Sequence, residues 1–254
     1  MIVTHEMDGT VGVVTLAKPP HNLIDDALVE GLIAAYQAVL SAGCRAILLR
    51  SGMRHFCAGA DLGSFNKTTF VHADQTRFEH YVRVLEDAPV PTVAAVHGSA
   101  LGGGLEIALT CDTIICADTA TLGQVECTVG LLPLLGGTQR IVQRAGVARA
   151  KEIVMLGRRY TAEAFERWGI VNLVVPEADL PAASLTWARQ LASGPTKVLK
   201  EAKRLANLAA RKGVAAADSE QVETNDVIWS AADRERGFSA FFATGPASAV
   251  FQGD

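Results

Sequence analysis

The chain has 254 residues, of which 49% are apolar and 20% are charged, with 23 Lys+Arg against 27 Asp+Glu. This length suits one large domain, or one domain with a small appendage, and a sizeable apolar core. The net charge of −4 excludes an electrostatic case for nucleic acid or an anionic membrane. The five cysteines form no C-x-x-C pair, which argues against a disulfide framework or a thiolate zinc site and favours a reducing compartment. The start of the chain lacks the features of a signal peptide, and no apolar run reaches the roughly 18 residues of a membrane span. We therefore expect a cytoplasmic globular protein.

The N-terminal half shows alternating strand and helix patterns. Asp8-Gly9 predicts a β-hairpin between residues 2–6 and 11–16. Apolar residues at helical spacing predict a helix over 25–40, and a weaker pattern of the same kind predicts one over 72–87. Short apolar runs at 46–49 and 93–96 are typical of buried strands.

The alternation continues after residue 96. The pattern predicts, in order, a glycine loop (98–104), a short helix (105–109), a strand (114–117), two helices (137–145 and 148–156) and a strand (171–175). Strands that alternate with helices favour an α/β fold with right-handed crossovers. From about Pro181 the chain is almost entirely helical, and a composition shift at Ser193-Gly194-Pro195 divides it into an α/β core (1–192) and a helical region (193–254).

A basic segment lies in the helical region. Residues 197–212 carry six cations and one acid. They indicate either a phosphate-binding patch or a solvated helix face whose late cations suit the helix dipole. Charge runs usually mark solvent-facing surface, which favours the second interpretation.

Two small-residue loops are candidates for backbone recognition of a ligand. Phe56–Leu62 reads FCAGADL and follows an apolar strand, so its N–H groups can approach a ligand closely. Residues 98–106 place three glycines directly before a helix, which exposes unpaired N–H groups to a phosphate or to an oxygen that gains charge during a reaction. Neither dinucleotide nor P-loop spacing is present. An ordinary tight turn and a strand-to-helix packing contact are the alternative explanations.

Two acidic residues are candidates for proton transfer. Glu106 lies among apolar residues of the short helix, and a buried carboxylate is a candidate acid–base group unless a cap or a salt bridge satisfies it. Glu126 lies in an apolar, glycine-punctuated loop, where a surface acid is the alternative. Backbone donors that stabilise an oxyanion, together with two carboxylates that move protons, form a plausible catalytic set.

Three segments, taken together, resemble the signature segments of the enoyl-CoA hydratase/isomerase (crotonase) family. They are residues 56–62 (FCAGADL), 100–106 (ALGGGLE) and 136–140 (GGTQR), and their order and spacing also fit. The resemblance covers most of the chain. It implies a crotonase-like spiral of ββα units with a C-terminal helical trimerisation region, a homotrimer or a dimer of trimers, and an acyl-CoA thioester of fatty acid metabolism as substrate.

The resemblance also implies roles for individual residues. The N–H groups of Ala60 and Gly103 match the oxyanion hole, Glu106 matches the residue that activates water, and Glu126 matches the one that handles the α-proton. The substrate-binding residues that it implies are Ala58, Gly59, Ala60, Asp61, Leu62, Gly103 and Leu134. Lys18 lies where the family often places a basic residue near the coenzyme A phosphates. No metal and no redox cofactor is expected.

Departures from the family pattern leave three functions open. Leu134 stands where hydratases commonly have glycine, Val125 replaces a proline, and basic residues are missing beside Phe251. Two glutamates favour a 2-enoyl-CoA hydratase. The alternatives are another reaction on the same thioester (isomerase, decarboxylase, dehalogenase or thioesterase) and a non-catalytic acyl-CoA-binding protein, because one fold supports many chemistries.

Overall fold

A six-stranded sheet organises the first part of the chain in the computed structural model, which describes residues 1–65 and 72–254. Its strands are β1 (Val3–Asp8), β2 (Val11–Leu16), β3 (Ala46–Ser51), β4 (Thr92–Val96), β6 (Thr113–Ala117) and β9 (Leu173–Val175). They lie side by side in that order; β1 and β2 are antiparallel, and each later pair is parallel. The predicted hairpin and buried strands are confirmed.

A second, three-stranded sheet consists of β5 (Ser99–Leu101), β7 (Thr121–Gly123) and β8 (Tyr160–Thr161). β5 pairs with β7 in parallel, and β8 pairs with β7 in antiparallel orientation. The prediction of a glycine loop over 98–104 was therefore wrong, because β5 and the start of α3 lie within it. Strands of two or three residues are too short to show a period in the sequence, and long-range pairing alone holds them extended.

Ten helices accompany the sheets within the described residues. They are α1 (Asp26–Ser41), α2 (His72–Glu86), α3 (Gly103–Leu109), α4 (Gly137–Leu156), α5 (Ala162–Arg167), α6 (Leu180–Ser193), α7 (Thr196–Lys212), α8 (Val214–Ser219), α9 (Gln221–Trp229) and α10 (Ala232–Thr244). The two helices predicted over 137–156 are the halves of α4, which kinks at Gly146. None of the helices in the described ranges is long and apolar enough to cross a membrane.

The core lies where helices cover the larger sheet. Strand β4 is buried along its whole length and β3 over its first four residues, as expected for parallel strands covered on both faces. Helix α6 packs across β2, β3, β4 and β6. It ends at Ser193, next to the expected boundary, so α6 belongs with the core; the division into two domains stays a prediction.

Asn22 fixes the loop between β2 and α1. Its side-chain oxygen accepts a hydrogen bond from the Lys18 N–H at 2.7 Å, and its amide nitrogen donates to the Phe56 carbonyl at 2.9 Å and to Ser51 Oγ at 2.8 Å. The buried amide therefore fastens this loop to the segment that enters residues 57–62.

Several cations of α7 are bound by carboxylates of neighbouring elements. Lys203 pairs with Asp112 at 3.0 Å, and Arg204 pairs with Glu220 at 3.1 Å. Arg211 pairs with Asp87 at 2.7 Å. These three cations connect α7 to the core and to α8–α9. They therefore form neither a free phosphate-binding patch nor a purely solvated helix face, the two interpretations that the sequence offered.

Candidate active site

The glycine-rich turn between β5 and α3 is held in one conformation. Gly102 has φ +52° and ψ −127°, which a residue with a side chain rarely adopts. Its N–H donates to the Gly123 carbonyl at 2.8 Å, and its carbonyl accepts from the Glu106 N–H at 3.0 Å. The turn is thus fixed against the end of β7, and α3 begins at Gly103.

The two small-residue segments meet at Cys57. The Cys57 N–H donates to the Ser99 carbonyl at 3.0 Å, and the Leu101 N–H donates to the Cys57 carbonyl at 3.1 Å. A Cβ on Gly104 would lie 2.2 Å from the Cys57 carbonyl oxygen. The glycines at 102–104 therefore do form a tight strand-to-helix packing contact, which the sequence offered as an alternative to ligand binding. The same contact brings the two predicted loops together.

Ala60 and Gly103, the predicted donors, both lie beside Ile24. The Ile24 N–H donates to the Gly59 carbonyl and its carbonyl accepts from the Asp61 N–H, both at 2.9 Å, so the Ala60 N–H takes part in neither bond. The Ile24 Cδ1 atom lies 2.8 Å from the position of a Cβ on Gly103. Over residues 1–65 and 72–254, the amides of Ala60 and Gly103 have no backbone acceptor.

Glu106 is buried and held by backbone donors. The residue is 2% exposed, and its Oε1 accepts from the N–H groups of Leu135 at 2.9 Å and Gly137 at 2.7 Å. Burial raises the pKa of Glu106 to about 8, and the nearby Glu126 carboxylate adds to this, against the lowering effect of the two N–H donors and of Arg140.

Glu126 faces the same turn from the other side. It begins a 3-10 helix (Glu126–Val129), and a Cβ on Gly102 would lie 3.0 Å from its Oε1. A Cβ on Gly103 would lie 3.8 Å from Glu106 Oε2. The two carboxylates thus border adjacent residues of one turn, and burial raises the pKa of Glu126 as well. Glu126 is half-buried rather than a solvated surface acid.

Gln124 contributes to this site, and the sequence interpretation missed it. Its side chain is fully buried. We assign the amide from its hydrogen-bonding surroundings, with the nitrogen toward Glu126, and in that orientation it donates to Oε2 at 3.0 Å and to Oε1 at 2.9 Å. A polar residue within the apolar run Leu122–Val125 was the available signal, but sequence alone does not show which partner satisfies it.

The segment that the resemblance assigns to coenzyme A lies along an accessible edge. Gly59 is buried, Ala58, Ala60 and Asp61 are half-buried, and Leu62 is 53% exposed.

Lys18 is bound within its own loop, and a place for it near the coenzyme A phosphates stays a prediction. Its ammonium group pairs with Asp25 at 2.6 Å and donates to the Leu23 carbonyl at 2.9 Å. Lys18 therefore stabilises the loop before α1, and its charge is already compensated by Asp25.

Leu134 is accommodated without left-handed backbone. Among the described residues, the non-glycine positions with positive φ are Asn22 and Ala247, so Leu134 is not one of them.

Leu135, the residue after Leu134, helps to close a cavity of about 10 Å³ beside Glu106, room for about one water molecule. Its other lining residues are Val29, Leu32, Tyr81, Val82, Leu85, Ile107 and Thr110.

Comparison with known proteins agrees with this architecture. The enoyl-CoA hydratase/isomerase family profile matches residues 6–249. A probable enoyl-CoA hydratase of Mycobacterium tuberculosis is 35% identical over 242 residues, 93% of each chain. A probable enoyl-CoA hydratase of Rhizobium meliloti is 33% identical over 240 residues, which cover 94% of this chain and 93% of that protein.

Solved structures show the same fold. An enoyl-CoA hydratase subunit of Geobacillus kaustophilus superimposes with a TM-score of 0.93 at 30% identity, covering 100% of this chain and 99% of the other. An enoyl-CoA hydratase of Bacillus anthracis gives 0.89 at 28% identity and covers all of both chains.

The chain belongs to the enoyl-CoA hydratase/isomerase (crotonase) family. The predicted family and the crotonase fold are confirmed. The family acts on acyl-CoA thioesters, which supports a substrate of that class. The relatives include bacterial, mitochondrial and peroxisomal proteins, so the cytoplasmic location stays a prediction.

Proposed function

We propose that this protein is an enoyl-CoA hydratase that adds water across the double bond of a 2-enoyl-CoA thioester. One observation carries the proposal: the carboxylates of Glu106 and Glu126 border the same turn that presents the Gly103 N–H. Ala60, with its own unused N–H, lies next to that turn through Ile24. Hydration requires donors for an oxygen and carboxyl groups for two proton transfers.

The N–H groups of Ala60 and Gly103 act on the thioester carbonyl. Two donors aimed at that oxygen stabilise the negative charge that develops as water attacks the β-carbon. In other enzymes the loss of one such donor costs about 3–4 kcal/mol, so this polarisation supplies a large part of the rate enhancement. The substrate class needs no metal or redox cofactor for this step. The segment 58–62 binds the coenzyme A portion.

The two glutamates exchange protons with water and with the α-carbon. One carboxylate removes a proton from water while the other carboxyl group delivers one to the α-carbon, so the pair ends with as many protons as it began. The family pattern assigns the base role to Glu106 and the acid role to Glu126. Burial and the neighbouring Glu126 carboxylate raise the pKa of Glu106 to about 8. The pair titrates as a unit.

We also infer that the protein assembles as a homotrimer or a dimer of trimers. Large apolar side chains on α9 and α10 are exposed in the single chain; they are Trp229 (60%), Phe238 (50%), Phe241 (54%) and Phe242 (82%). Exposed apolar surface of this kind marks association sites. Light scattering after gel filtration measures the mass directly, and a monomer at micromolar concentration would contradict this assembly.

The test of the activity is the loss of 2-enoyl-CoA absorbance on mixing with purified protein, with short and long acyl chains. We expect turnover in the wild type and its loss in Glu106→Gln. The matched control is Glu235→Gln, the same change at an exposed position of α10. Absence of turnover with every chain length overturns the proposal, as does conversion of 3-enoyl-CoA or a malonyl-type thioester in its place.

A further inference from the structure

A cleft of about 440 Å³ lies between α7 and the part of the core that α3, α4 and the end of α6 form. Ligand sites in proteins commonly have volumes of about 300–1,000 Å³. Ala60, Gly103, Glu106 and Glu126 do not line this cleft. It is therefore separate from the turn that carries the proposed hydratase chemistry.

The charged side chains of the cleft do not balance. Among the described residues that line it are the cations Arg140, Arg144 and Lys203 and the acids Glu86 and Asp112. Glu86 pairs with Arg140 at 2.7 Å, and Asp112 pairs with Lys203 at 3.0 Å. Each carboxylate of the lining is therefore taken by a cation, and the positive charge of Arg144 remains.

Carbonyl groups alone hold the guanidinium of Arg144. It donates to the Ile170 carbonyl at 3.1 Å and to the Cys111 carbonyl at 2.6 Å. Across residues 1–65 and 72–254, its other N–H groups have no acceptor and it pairs with no carboxylate. Burial lowers the pKa of Arg144 below its ordinary value. An anion beside this guanidinium would compensate its charge and use the free donors of its planar fork.

The remaining lining of the cleft includes a set of apolar side chains. They are Pro91, Leu109, Leu191, Leu199, Ala202 and Ala206. Guanidinium groups bind carboxylates through two parallel hydrogen bonds, and an apolar wall favours a hydrocarbon chain over water. Inorganic phosphate would use the charge of Arg144 but would leave this wall uncovered. The chemistry of the cleft therefore favours a carboxylate that carries an apolar chain.

We propose that this cleft binds a monocarboxylate with a short apolar chain, its carboxylate paired with Arg144 and its chain against Leu109, Leu191 and Leu199. The single negative charge of such a ligand matches the one cation of the lining that has no carboxylate partner. The binding itself does not depend on the proposed hydratase function.

Arg140 connects the cleft with the active site. It precedes Arg144 by one helical turn, and it donates to the carbonyls of Gly136 at 3.2 Å and Leu135 at 3.4 Å. The N–H groups of Leu135 and Gly137 hold Glu106. An anion at Arg144 competes with Glu86 for Arg140 and so disturbs the segment that holds Glu106. Occupancy of the cleft should therefore lower kcat, and this consequence rests on the proposed function.

Calorimetric titration with hexanoate tests the binding. Ala206 is exposed on α7 and lines the cleft, so Ala206→Phe fills the cleft and should weaken binding at least about tenfold. The matched control is Ala182→Phe, at an exposed position of α6 outside the cleft, which should change the Kd less than about twofold. Arg144→Gln removes the charge and should weaken binding about tenfold to a hundredfold. Inorganic phosphate and hexanol, which lack the chain and the charge respectively, should each bind at least about tenfold more weakly.

The titrations decide the binding proposal. A wild type that does not bind hexanoate up to about 10 mM overturns it. So does binding that survives Ala206→Phe, because the ligand then lies elsewhere, and so does an equal loss in Ala182→Phe. Phosphate that binds as tightly as hexanoate overturns the proposed ligand class. If Arg144→Gln does not fold, Ala206→Phe decides, since its change lies at an exposed position.

Turnover of 2-enoyl-CoA at saturating hexanoate tests the connection through Arg140. We expect kcat to fall at least about twofold in the wild type with KM unchanged, and to stay constant in Ala206→Phe. An unchanged kcat in the wild type overturns the connection, and a rise in KM alone shows competition at the active site and overturns it as well. If the wild type hydrates no enoyl thioester, the proposed function fails, while the hexanoate titration still decides the binding.

Discussion

Substitution of Gly104 by alanine tests whether the contact between the two loops matters for stability and activity. The added Cβ would lie 2.2 Å from the Cys57 carbonyl oxygen, which is backbone and cannot rotate away. An ordinary contact requires the two segments to separate by about 1 Å, and a shift of that size in a site can cost about a hundredfold in rate. Overpacking costs about 1–3 kcal/mol. Loss of the bond from the Leu101 N–H to the Cys57 carbonyl adds about 1 kcal/mol.

We therefore expect Gly104→Ala to lower the free energy of unfolding by about 2–4 kcal/mol, which corresponds to a drop in Tm of roughly 5–15 °C. Hydratase activity should fall about a hundredfold in the folded variant. The matched control is Gly237→Ala in α10, where the Cβ would meet the Phe251 ring at 3.4 Å, an ordinary contact. Thermal unfolding and the absorbance assay measure both effects. A Gly104→Ala variant that melts and turns over like Gly237→Ala would refute this reasoning.

Three further predictions concern charged residues. Glu106→Gln should stabilise the protein more at pH 8.5 than at pH 5. The folded-state pKa of Glu106, about 8, lies above the ordinary value of 4.5, so the wild type loses stability as the pH rises through that interval. Urea unfolding measures the difference between the two proteins, and a difference that does not depend on pH would contradict this prediction. Arg45→Met should lower the free energy of unfolding by about 2–3 kcal/mol, because the Arg45 guanidinium donates to Thr196 Oγ1, Gly194 O and Phe251 O. The control Arg50→Met removes an exposed ion pair and should change the free energy of unfolding in urea by less than about 0.5 kcal/mol. Lys18→Met should reduce stability, because it removes the ion pair with Asp25, and should leave the salt dependence of KM unchanged. A weaker salt dependence of KM in the variant would show that Lys18 contacts the coenzyme A phosphates.

The sequence was sufficient for elements whose signal is local. Helix α1 is an example: apolar residues recur at helical spacing, and Asp25 caps the first turn by accepting from the Leu28 N–H at 3.0 Å. The burial of Glu106 also followed from its apolar neighbours on α3. Because helix and strand periods repeat within a few residues, these features can be recognised along the chain.

The small sheet and the role of Gln124 were beyond sequence reasoning for the opposite reason. β5 has three residues, and its extended form depends on pairing with β7 some twenty residues later. Gln124 reads as one polar residue in an apolar run. Its meaning depends on Glu126 and Gly137 lying on either side of it, which is a property of the folded chain.

The amino-acid sequence by itself therefore determined a set of local elements and the residue types available for chemistry. These residues are two glycine- and alanine-rich bends and two acids in apolar surroundings. The tertiary structure decided which of them meet. The Cys57–Gly104 contact, the hold on Glu106 by Leu135 and Gly137, and the rise of its pKa to about 8 all depend on separations in space. A hydrogen bond forms only when donor and acceptor lie about 3 Å apart, and a charge interaction weakens as its partners move apart; only the fold sets those distances.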